Sequence, residues 1–548
     1  MLLVASIAVA GAGVAVTVLR HRSGAPQATS AYLPVPRGTA LRILASTELS
    51  DMRPLLADFT AESGIAVTLD LVETREGARR VTEGAATGVY DAVWFSSERD
   101  IRSRESTHRW LGSGTPIMTS PVTLGLRPEV ATRLGWAGRV VTWEQIAHAE
   151  GLSLAMAAPE QSDLGRLSIL AAAAGLTGRG GMYTDPDLDR ADPGLRSFFH
   201  DQAFTAADPV RLSEAFAGAQ GADVDGLLSF ESEILHFAQT PDAGGPRPSR
   251  AAAGLPPRLV PVRIEGTIAA TYALTPLWEP RSPPGPDAVA ALTRYLLTSD
   301  VQRRILRETH RVPVIPGVGL PPWSAGRPVP RWQAPADDEV VTYLIGTYLN
   351  RYRRPACTVY VLDTSGSMKH HGRMEDLQKA MRTLTAGGTA TAEHPERLRG
   401  SEEVVLVSFA TTVREPVVVR VPEHEPGAAL HRLTTWVQTL QPGGRTAVYD
   451  GLRAGLGAVA HRAPRAPERI TTIVLVTDGA RNGGITLDAF LRYRRTLGDL
   501  REVPVFPVLV GEAEKEPMEA LALATGGRVL DARQGDLAVT LQELRLMR

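Results

Sequence analysis

Short apolar segments alternate with amphipathic segments along most of the chain. Leu41–Ala45 and Ile65–Val72 have the composition of strands, and Met52–Ser63 between them has the spacing of an amphipathic helix. Apolar strands and helices keep alternating to about residue 315, where the last helix is predicted over Ala288–His310. This alternation predicts an α/β domain built from βαβ units.

A second and more regular alternation begins at Cys357. Its apolar strands, such as Ile473–Val476, lack polar positions on either face, which predicts a parallel sheet covered by helices on both sides. The pattern predicts strands at 357–363, 403–409, 413–420, 470–477 and 503–510 and a short one near 527–530, with helices at 373–384, 427–439, 447–461, 486–497, 515–524 and 535–546. The fold class predicted here is a doubly wound, Rossmann-like α/β domain.

Breaks in the pattern divide the chain. A segment rich in Pro, Gly and Trp covers 317–335, and a helix is predicted over Asp337–Arg353. The predicted organisation is an N-terminal anchor (1–22), a linker (23–38), a first α/β domain (39–320), a linker with a connector helix (321–354) and a second α/β domain (355–548).

The N-terminal residues Leu2–Leu19 are apolar and uncharged. A helix of this length covers roughly 27 Å, enough to cross a bilayer. We expect an uncleaved, single-pass signal anchor in the cell membrane, with both domains extracytoplasmic. Arg20 and Arg22 follow this helix, and by the positive-inside rule they favour a cytoplasmic location for the rest of the chain instead. Because an extracytoplasmic chain would need basic residues before the helix, we hypothesise that translation starts upstream of Met1.

Composition narrows the function classes. The formal net charge of −1 gives no reason to expect a nucleic-acid partner. A single cysteine, Cys357, excludes an intrachain disulfide and a cysteine-based zinc site. Lysine is almost absent, and arginine carries nearly all the positive charge, which indicates a high-GC, bacterial coding sequence.

Hydroxyl and carboxylate residues follow the ends of two predicted strands and open a predicted helix. Asp363-x-Ser365-x-Ser367 follows the first strand of the second domain. Thr446 opens a helix, and Asp478 ends another buried strand. Open α/β sheets bind ligands at the carboxyl ends of their strands. Hard oxygen donors of this kind suit Mg²⁺, or Mn²⁺ or Ca²⁺ in its place, and do not suit Zn²⁺.

These five residues, in this order, resemble the metal-ion-dependent adhesion site of von Willebrand factor A domains, over roughly residues 355–548. The resemblance implies that the serines and the threonine contact the metal and that the aspartates act directly or through water. It also implies an open coordination position for an Asp or Glu of a protein partner, and hence binding and not catalysis.

Two other interpretations of this region are weaker. His370 and His371 are adjacent and lack a third ligand, so we expect exposed residues and not a zinc site. Some phosphotransferases use a strand-end aspartate as nucleophile, but they carry a second Asp where Ser365 stands here. The protein is therefore not expected to be an enzyme.

The first domain resembles bacterial extracellular solute-binding proteins of the two-lobed, periplasmic type II kind. Five segments and one helix carry the resemblance: Leu44–Glu48, Tyr90–Ser97, Thr119–Gly125, Val141–Glu144, Pro159–Ser162 and Ala288–His310. In that family Ser and Thr at strand ends line the cleft between the lobes, which implies a small polar or anionic ligand. The candidate cleft residues are Ser46, Thr47, Ser97, Ser120, Ser162 and Glu231. Ser and Thr also favour caps and turns, which is the alternative role for each of these residues. The alternative for the domain is that it binds no solute and serves as a protein-recognition module.

Three functional hypotheses follow. The first is a membrane-anchored extracytoplasmic adhesion or scaffold protein whose second domain grips a partner carboxylate through Mg²⁺. The second is a transport component in which the first domain delivers a solute to a permease. The third is a cytoplasmic metal-dependent assembly factor, which Arg20 and Arg22 favour and the first domain opposes.

Overall fold

The structure is a computed structural model. It describes residues 35–36, 38–106, 108–180, 184–218, 221, 223–239, 258–319, 331–335, 338–460, 469–479 and 481–546. The predicted anchor at 1–22 and the linker up to residue 34 lie outside the described residues. Within the described ranges, none of the helices combines the length and the apolar character needed to cross a bilayer.

The first domain follows the predicted alternation. Its strands are β1 (Ala40–Ser46), β2 (Ala66–Val72), β3 (Ala92–Phe95), β4 (Thr115–Leu126), β5 (Val140–Val141), β6 (Leu154–Ala157), β7 (Gln202–Ala206), β8 (Gly226–Phe230), β9 (Val260–Ile264), β10 (Thr267–Pro276), β11 (Val312–Pro313) and β12 (Arg331–Trp332). Its helices are α1 (Arg53–Ser63), α2 (Thr74–Thr82), α3 (Arg99–Arg102), α4 (Pro128–Arg133), α5 (Trp143–Ala147), α6 (Asp163–Thr177), α7 (Asp185–His200), α8 (Pro209–Ala217), α9 (Glu231–Gln239), α10 (Gly285–Leu296) and α11 (Ser299–Thr309).

One long strand joins two halves of this domain. The main path of the sheet runs β2-β1-β3-β10-β4-β8-β6-β7. Residues Thr115–Pro121 of β4 pair with β10, whereas Val122–Leu126 pair with β8. The strands on the β10 side and those on the β8 side therefore form two lobes, which we call lobe 1 and lobe 2.

The predicted helix Ala288–His310 is in fact two helices, α10 and α11. The backbone at Thr298 is extended (φ −67°, ψ 146°), and this residue takes the N-cap position of α11. The hydroxyl of Thr298 does not cap α11 but donates to the carbonyl of Tyr295 at 2.9 Å, near the end of α10. A left-handed His310 (φ 57°) ends α11.

The second domain is a six-stranded sheet covered on both faces. Its strands are β13 (Ala356–Asp363), β14 (Glu403–Phe409), β15 (Val417–Arg420), β16 (Ile470–Thr477), β17 (Val505–Leu509) and β18 (Leu530–Asp531). Its helices are α13 (Arg373–Thr385), α14 (Gly427–Gln438), α15 (Val448–Ala460), α16 (Leu487–Arg494), α17 (Lys515–Thr525) and α18 (Leu537–Leu546). The sheet order is β15-β14-β13-β16-β17-β18, with only β15 antiparallel to its neighbour. The predicted mixed α/β class and the doubly wound arrangement are confirmed.

Strand β13 lies at the centre of this sheet because it can be buried on both faces. Val359 and Val361 are fully buried on one face, and Tyr360 and Leu362 are buried on the other. Helix α15 approaches the strand closely at Gly455, where a Cβ atom would lie 2.7 Å from a Val359 methyl carbon. The strand predicted over 413–420 is shorter than expected, because Val413 makes only an isolated bridge to Phe409.

Where a connector helix was predicted over Asp337–Arg353, the structure has α12 (Asp338–Thr347) followed by a π-helical turn (Tyr348–Tyr352). Val341, Leu344 and Ile345 pack into the core of the first domain. The side chain of Asn350 donates to the carbonyl of Ala390 (2.8 Å) and accepts from the amide of Gly400 (2.7 Å), both in the second domain. The connector is therefore part of the packing of both domains.

A buried ion pair holds the C-terminal helix of the second domain. Arg545 on α18 donates to both carboxylate oxygens of Glu402 (2.9 and 2.8 Å), and both residues are at most 5% exposed. Burial alone would raise the pKa of Glu402, but the charge and hydrogen bonds of Arg545 outweigh it and lower that pKa from 4.5 to about 2. The pair therefore stabilises the fold above about pH 4.5, and this contribution is lost as the pH falls towards 2.

We predict that Arg545→Met destabilises the second domain by roughly 3–5 kcal/mol, because it leaves the Glu402 carboxylate buried without its partner. Urea denaturation at pH 7 measures the loss, with Arg432→Met on the exposed face of α14 as the control. Equal denaturation midpoints for the two variants would contradict this role for the pair.

Candidate functional site

Two neighbouring parallel strands end at the same edge of the second sheet. Asp363 is the last residue of β13 and Thr477 the last of β16, and these strands pair in parallel. The residues that follow each strand therefore meet above the sheet, as expected from their positions in the sequence.

Asp363 is fully buried at this edge. Its Oδ1 accepts from the amide of Ser365, and its Oδ2 accepts from the hydroxyl of Thr477, both at 2.7 Å. Burial raises the pKa of Asp363 to about 6, the negative charge of Asp478 adds to the rise, and the hydrogen bonds from Ser365 and Thr477 oppose it. This carboxylate thus lacks a full counter-charge in the protein itself.

The predicted oxygen donors that follow these two strands, Ser365, Ser367 and Asp478, form a continuous chain of hydrogen bonds. The hydroxyls of Ser365 and Ser367 are 3.0 Å apart, and the Ser367 hydroxyl donates to Asp478 Oδ1 at 2.7 Å. Ser365 and Asp478 are buried, at 1% and 3% exposure, whereas Ser367 is partly exposed. The chain therefore has one side open to solvent.

Thr446 reaches this edge on a third loop. The amide of Gly443 donates to the carbonyl of Thr364 (2.7 Å), and the carbonyl of Gly444 accepts from the amide of Gly366 (3.0 Å). Thr446 itself is 2% exposed, and its amide donates to the side chain of Asn482 at 2.6 Å. The loop that carries Thr446 is thus tied both to the Asp363 turn and to the segment after Asp478.

These oxygen donors suit a hard divalent cation. The five side chains offer three neutral hydroxyls and two carboxylates, the chemistry that Mg²⁺ prefers. Across the described part of the chain, no three His, Cys, Asp or Glu side chains are grouped to hold a metal, so a metal centre here depends on the hydroxyls. His370 and His371 are exposed, in agreement with our expectation.

Sequence reasoning missed several residues that shape this edge. Thr477 directly precedes Asp478 and was not among the candidate residues, yet its hydroxyl donates to Asp363. Asn482 braces the Thr446 loop, and its position shortly after Asp478 was the available signal. Arg373, whose Nη1 lies 2.8 Å from Asp478 Oδ2, gave no signal in the sequence pattern.

In the first domain, the predicted cleft residue Ser46 belongs to a buried hydrogen-bond network that extends from lobe 1 to lobe 2. Its hydroxyl is 2.7 Å from that of Thr74, which is 2.9 Å from that of Ser96. The Ser96 hydroxyl donates to Asp163 of lobe 2 at 3.0 Å. Burial raises the pKa of Asp163 to about 6. Thr74, Ser96 and Asp163 were absent from the predicted cleft set, and they complete its inner end.

The other predicted cleft residues do not join this network as a group. The hydroxyl of Thr47 contacts Glu48 (3.4 Å), and that of Ser97 accepts from the amide of Arg99 (3.2 Å). Ser120 bonds to Ser232 at the start of α9, next to the buried Glu231. Ser162 is fully buried beside Asp163, and among the described residues its hydroxyl has no hydrogen-bond partner.

Charged side chains cross from one lobe to the other outside this network. Asp100 of lobe 1 pairs with Arg75 (3.2 Å) and with Arg166 of lobe 2, and Arg75 also bonds to the carbonyl of Glu160 in lobe 2. Beyond them lies a cavity of about 890 Å³, which both lobes, helix α12 and residues of the second domain such as Glu393 line. The lobes are therefore in contact, and the open space lies at the outer end of the cleft.

The raised pKa of Asp363 predicts that metal uptake by the second domain depends on pH. Below about pH 6 a proton competes for this carboxylate, so Mg²⁺ should bind roughly ten-fold more weakly at pH 5 than at pH 7. Isothermal titration calorimetry at both pH values measures the ratio of the two Mg²⁺ affinities. Asp363→Asn has no carboxylate to protonate at this position, so most of the pH dependence should be lost in this variant. Equal wild-type affinities at pH 5 and pH 7 would contradict the assignment.

Comparisons with known protein families give one match in each of the two domains. Residues 358–480 match the family model of the von Willebrand factor type A domain, and residues 41–310 match that of the bacterial extracellular solute-binding protein. No curated protein matches the chain.

Solved structures resemble each part at low identity. A von Willebrand factor type A protein from Catenulispora acidiphila is 19% identical over 35% of this chain, with a TM-score of 0.28, and the match spans only 42% of that protein. The Bordetella ferric binding protein is 15% identical over 56% of this chain and 95% of its own, with a TM-score of 0.38. Iron-bound HitA from Pseudomonas aeruginosa is 13% identical over 51% and 87%, with a TM-score of 0.38. From the two family matches, this chain carries a bacterial extracellular solute-binding domain followed by a von Willebrand factor type A domain.

Proposed function

We propose that the von Willebrand factor type A domain binds a protein partner through a divalent cation, Mg²⁺ in the first instance. Asp363, Ser365, Ser367, Thr446 and Asp478 would hold the ion, and an Asp or Glu of the partner would complete its coordination. The observation that supports the proposal is that three loops are tied together by hydrogen bonds: the turn after Asp363, the turn that carries Asp478, and the loop that leads to Thr446.

The chemistry of this donor set favours binding over catalysis. Neutral hydroxyls compensate little of a divalent charge, so the ion keeps an attraction for an incoming carboxylate. The partly exposed Ser367 marks the side from which such a group can approach. No reacting group beyond the metal donors is needed for this role.

We further propose that the whole chain is a membrane-anchored, extracytoplasmic adhesion or scaffold protein. The apolar residues Leu2–Leu19 support anchoring, and the match of 41–310 to an extracellular family supports the location. The packing of the connector against both domains supports a scaffold in which the two domains present a joint surface.

We predict that Asp363→Ala abolishes Mg²⁺-dependent partner capture while the fold survives. In a pull-down from bacterial membrane extract, a partner should bind wild-type protein with Mg²⁺, and should be lost with EDTA or in the variant. Asp499→Ala, an exposed aspartate of the same domain, is the control and should bind as wild type does. Retention of EDTA-sensitive capture by Asp363→Ala would refute the proposal.

Solute capture by the first domain is a second candidate function. The solute-binding family match and the cavity of about 890 Å³ favour it, while the contacts at the inner end of the cleft restrict a ligand to the outer end. If the domain carries a solute, native mass spectrometry of the full chain should detect a bound small molecule that Asp100→Ala weakens. Identical spectra for wild type and variant would count against a solute in this cavity.

A further inference from the structure

Arg373 reaches the candidate metal centre from the first residue of α13. Its Nη1 lies 2.8 Å from Asp478 Oδ2 and donates to the carbonyl of Ser367 at 3.4 Å. The side chain of Arg373 is 11% exposed, and that of Asp478 is fully buried. The guanidinium is therefore a partly buried positive charge in direct contact with one of the five proposed metal donors.

The guanidinium lies directly against a glycine in the segment after β17. Gly511, two residues beyond β17, has a left-handed backbone (φ 58°), and a Cβ atom there would lie 2.3 Å from Nε and Cζ of Arg373. Any side chain at position 511 would collide with the guanidinium. The segment after β17 thus leaves a space that the arginine side chain fills.

The pair changes the charge of the metal centre. Asp478 accepts from Ser367 through Oδ1 and from Arg373 through Oδ2, so both of its oxygens are engaged. Arginine stays protonated at all relevant pH values, so it cancels one of the two carboxylate charges of Asp363 and Asp478. A centre with a net charge of −1 compensates a divalent cation less than a centre with −2.

We propose that Arg373 tunes this centre in two opposite directions: it weakens the binding of the divalent cation and strengthens the attraction of the loaded centre for a partner's carboxylate. This inference rests on the proposed metal-dependent binding. It assigns Arg373 as a positioning and charge-setting residue that does not itself bind the metal. The two charges are 2.8 Å apart and Asp478 is buried, so water screens their interaction less than it would at the surface.

Two measurements on Arg373→Met test both directions. Calorimetry should show Mg²⁺ binding at least about ten-fold more tightly than in wild type, because one repelling charge is gone. With Mn²⁺ as the paramagnetic probe, titrated acetate should displace metal-bound water, read by proton relaxation, at least about ten-fold more weakly than in wild type.

Three further variants make the result specific. Arg373→Lys keeps the charge and should stay within about three-fold of wild type in both measurements. Arg382→Met removes the same charge from an exposed position on the same helix and should change neither. Gly511→Ala should displace the guanidinium without removing it and should shift both affinities in the direction seen for Arg373→Met.

A purely structural role for Arg373 predicts that Arg373→Met weakens both Mg²⁺ and acetate binding, and this outcome would overturn the inference. Unchanged affinities in Arg373→Met, with Mg²⁺ still bound by wild type, would overturn the inference alone. A wild-type protein that takes up neither Mg²⁺ nor Mn²⁺ would overturn the proposed function and this inference with it.

Discussion

The buried carboxylate of Asp363 at the end of the central strand is the feature on which the candidate metal centre depends. Removing a carboxylate from water is costly unless hydrogen bonds or a cation compensate it. Here two hydrogen bonds, from Ser365 and Thr477, compensate it in part, and its pKa remains raised. A divalent cation would supply the missing charge. The same bonds hold the first loop against the end of β16, so the fold and the centre share one set of contacts.

The two domains are connected through packing as well as through sequence. The connector helix α12 contributes Leu344 and Ile345 to the core of the solute-binding domain, while Asn350 bonds to the second domain. At the start of α12, Asp338 pairs with Arg99 of lobe 1 at 2.7 Å. In the π-helical turn that follows α12, the hydroxyl of Tyr348 donates to Gln202 of lobe 2 at 2.9 Å. One element therefore contacts both lobes and the neighbouring domain. A change in the separation of the lobes would have to move it.

Much of the architecture could be predicted because it follows from local patterns. The buried segments Val359–Leu362 of β13 and Ile473–Val476 of β16 are runs of apolar and aromatic residues. The Asp363, Thr446 and Asp478 segments fall where such strands and helices begin or end. The break at Thr298 was missed because apolar helical spacing continues across it. The pairing of Arg373 with Asp478 and the Ser46–Thr74–Ser96–Asp163 network were missed because they depend on tertiary contacts between distant segments. Periodicity carries no information about which polar side chains will meet.

Crystals of the protein soaked with Mn²⁺ and measured for anomalous scattering test the central claim most directly. The account predicts a single anomalous peak in the second domain, within about 2.5 Å of the hydroxyl oxygens of Ser365 and Ser367. It also predicts that this peak disappears in Asp363→Ala crystals. A peak elsewhere in the domain, or none at these hydroxyls at saturating Mn²⁺, would contradict it.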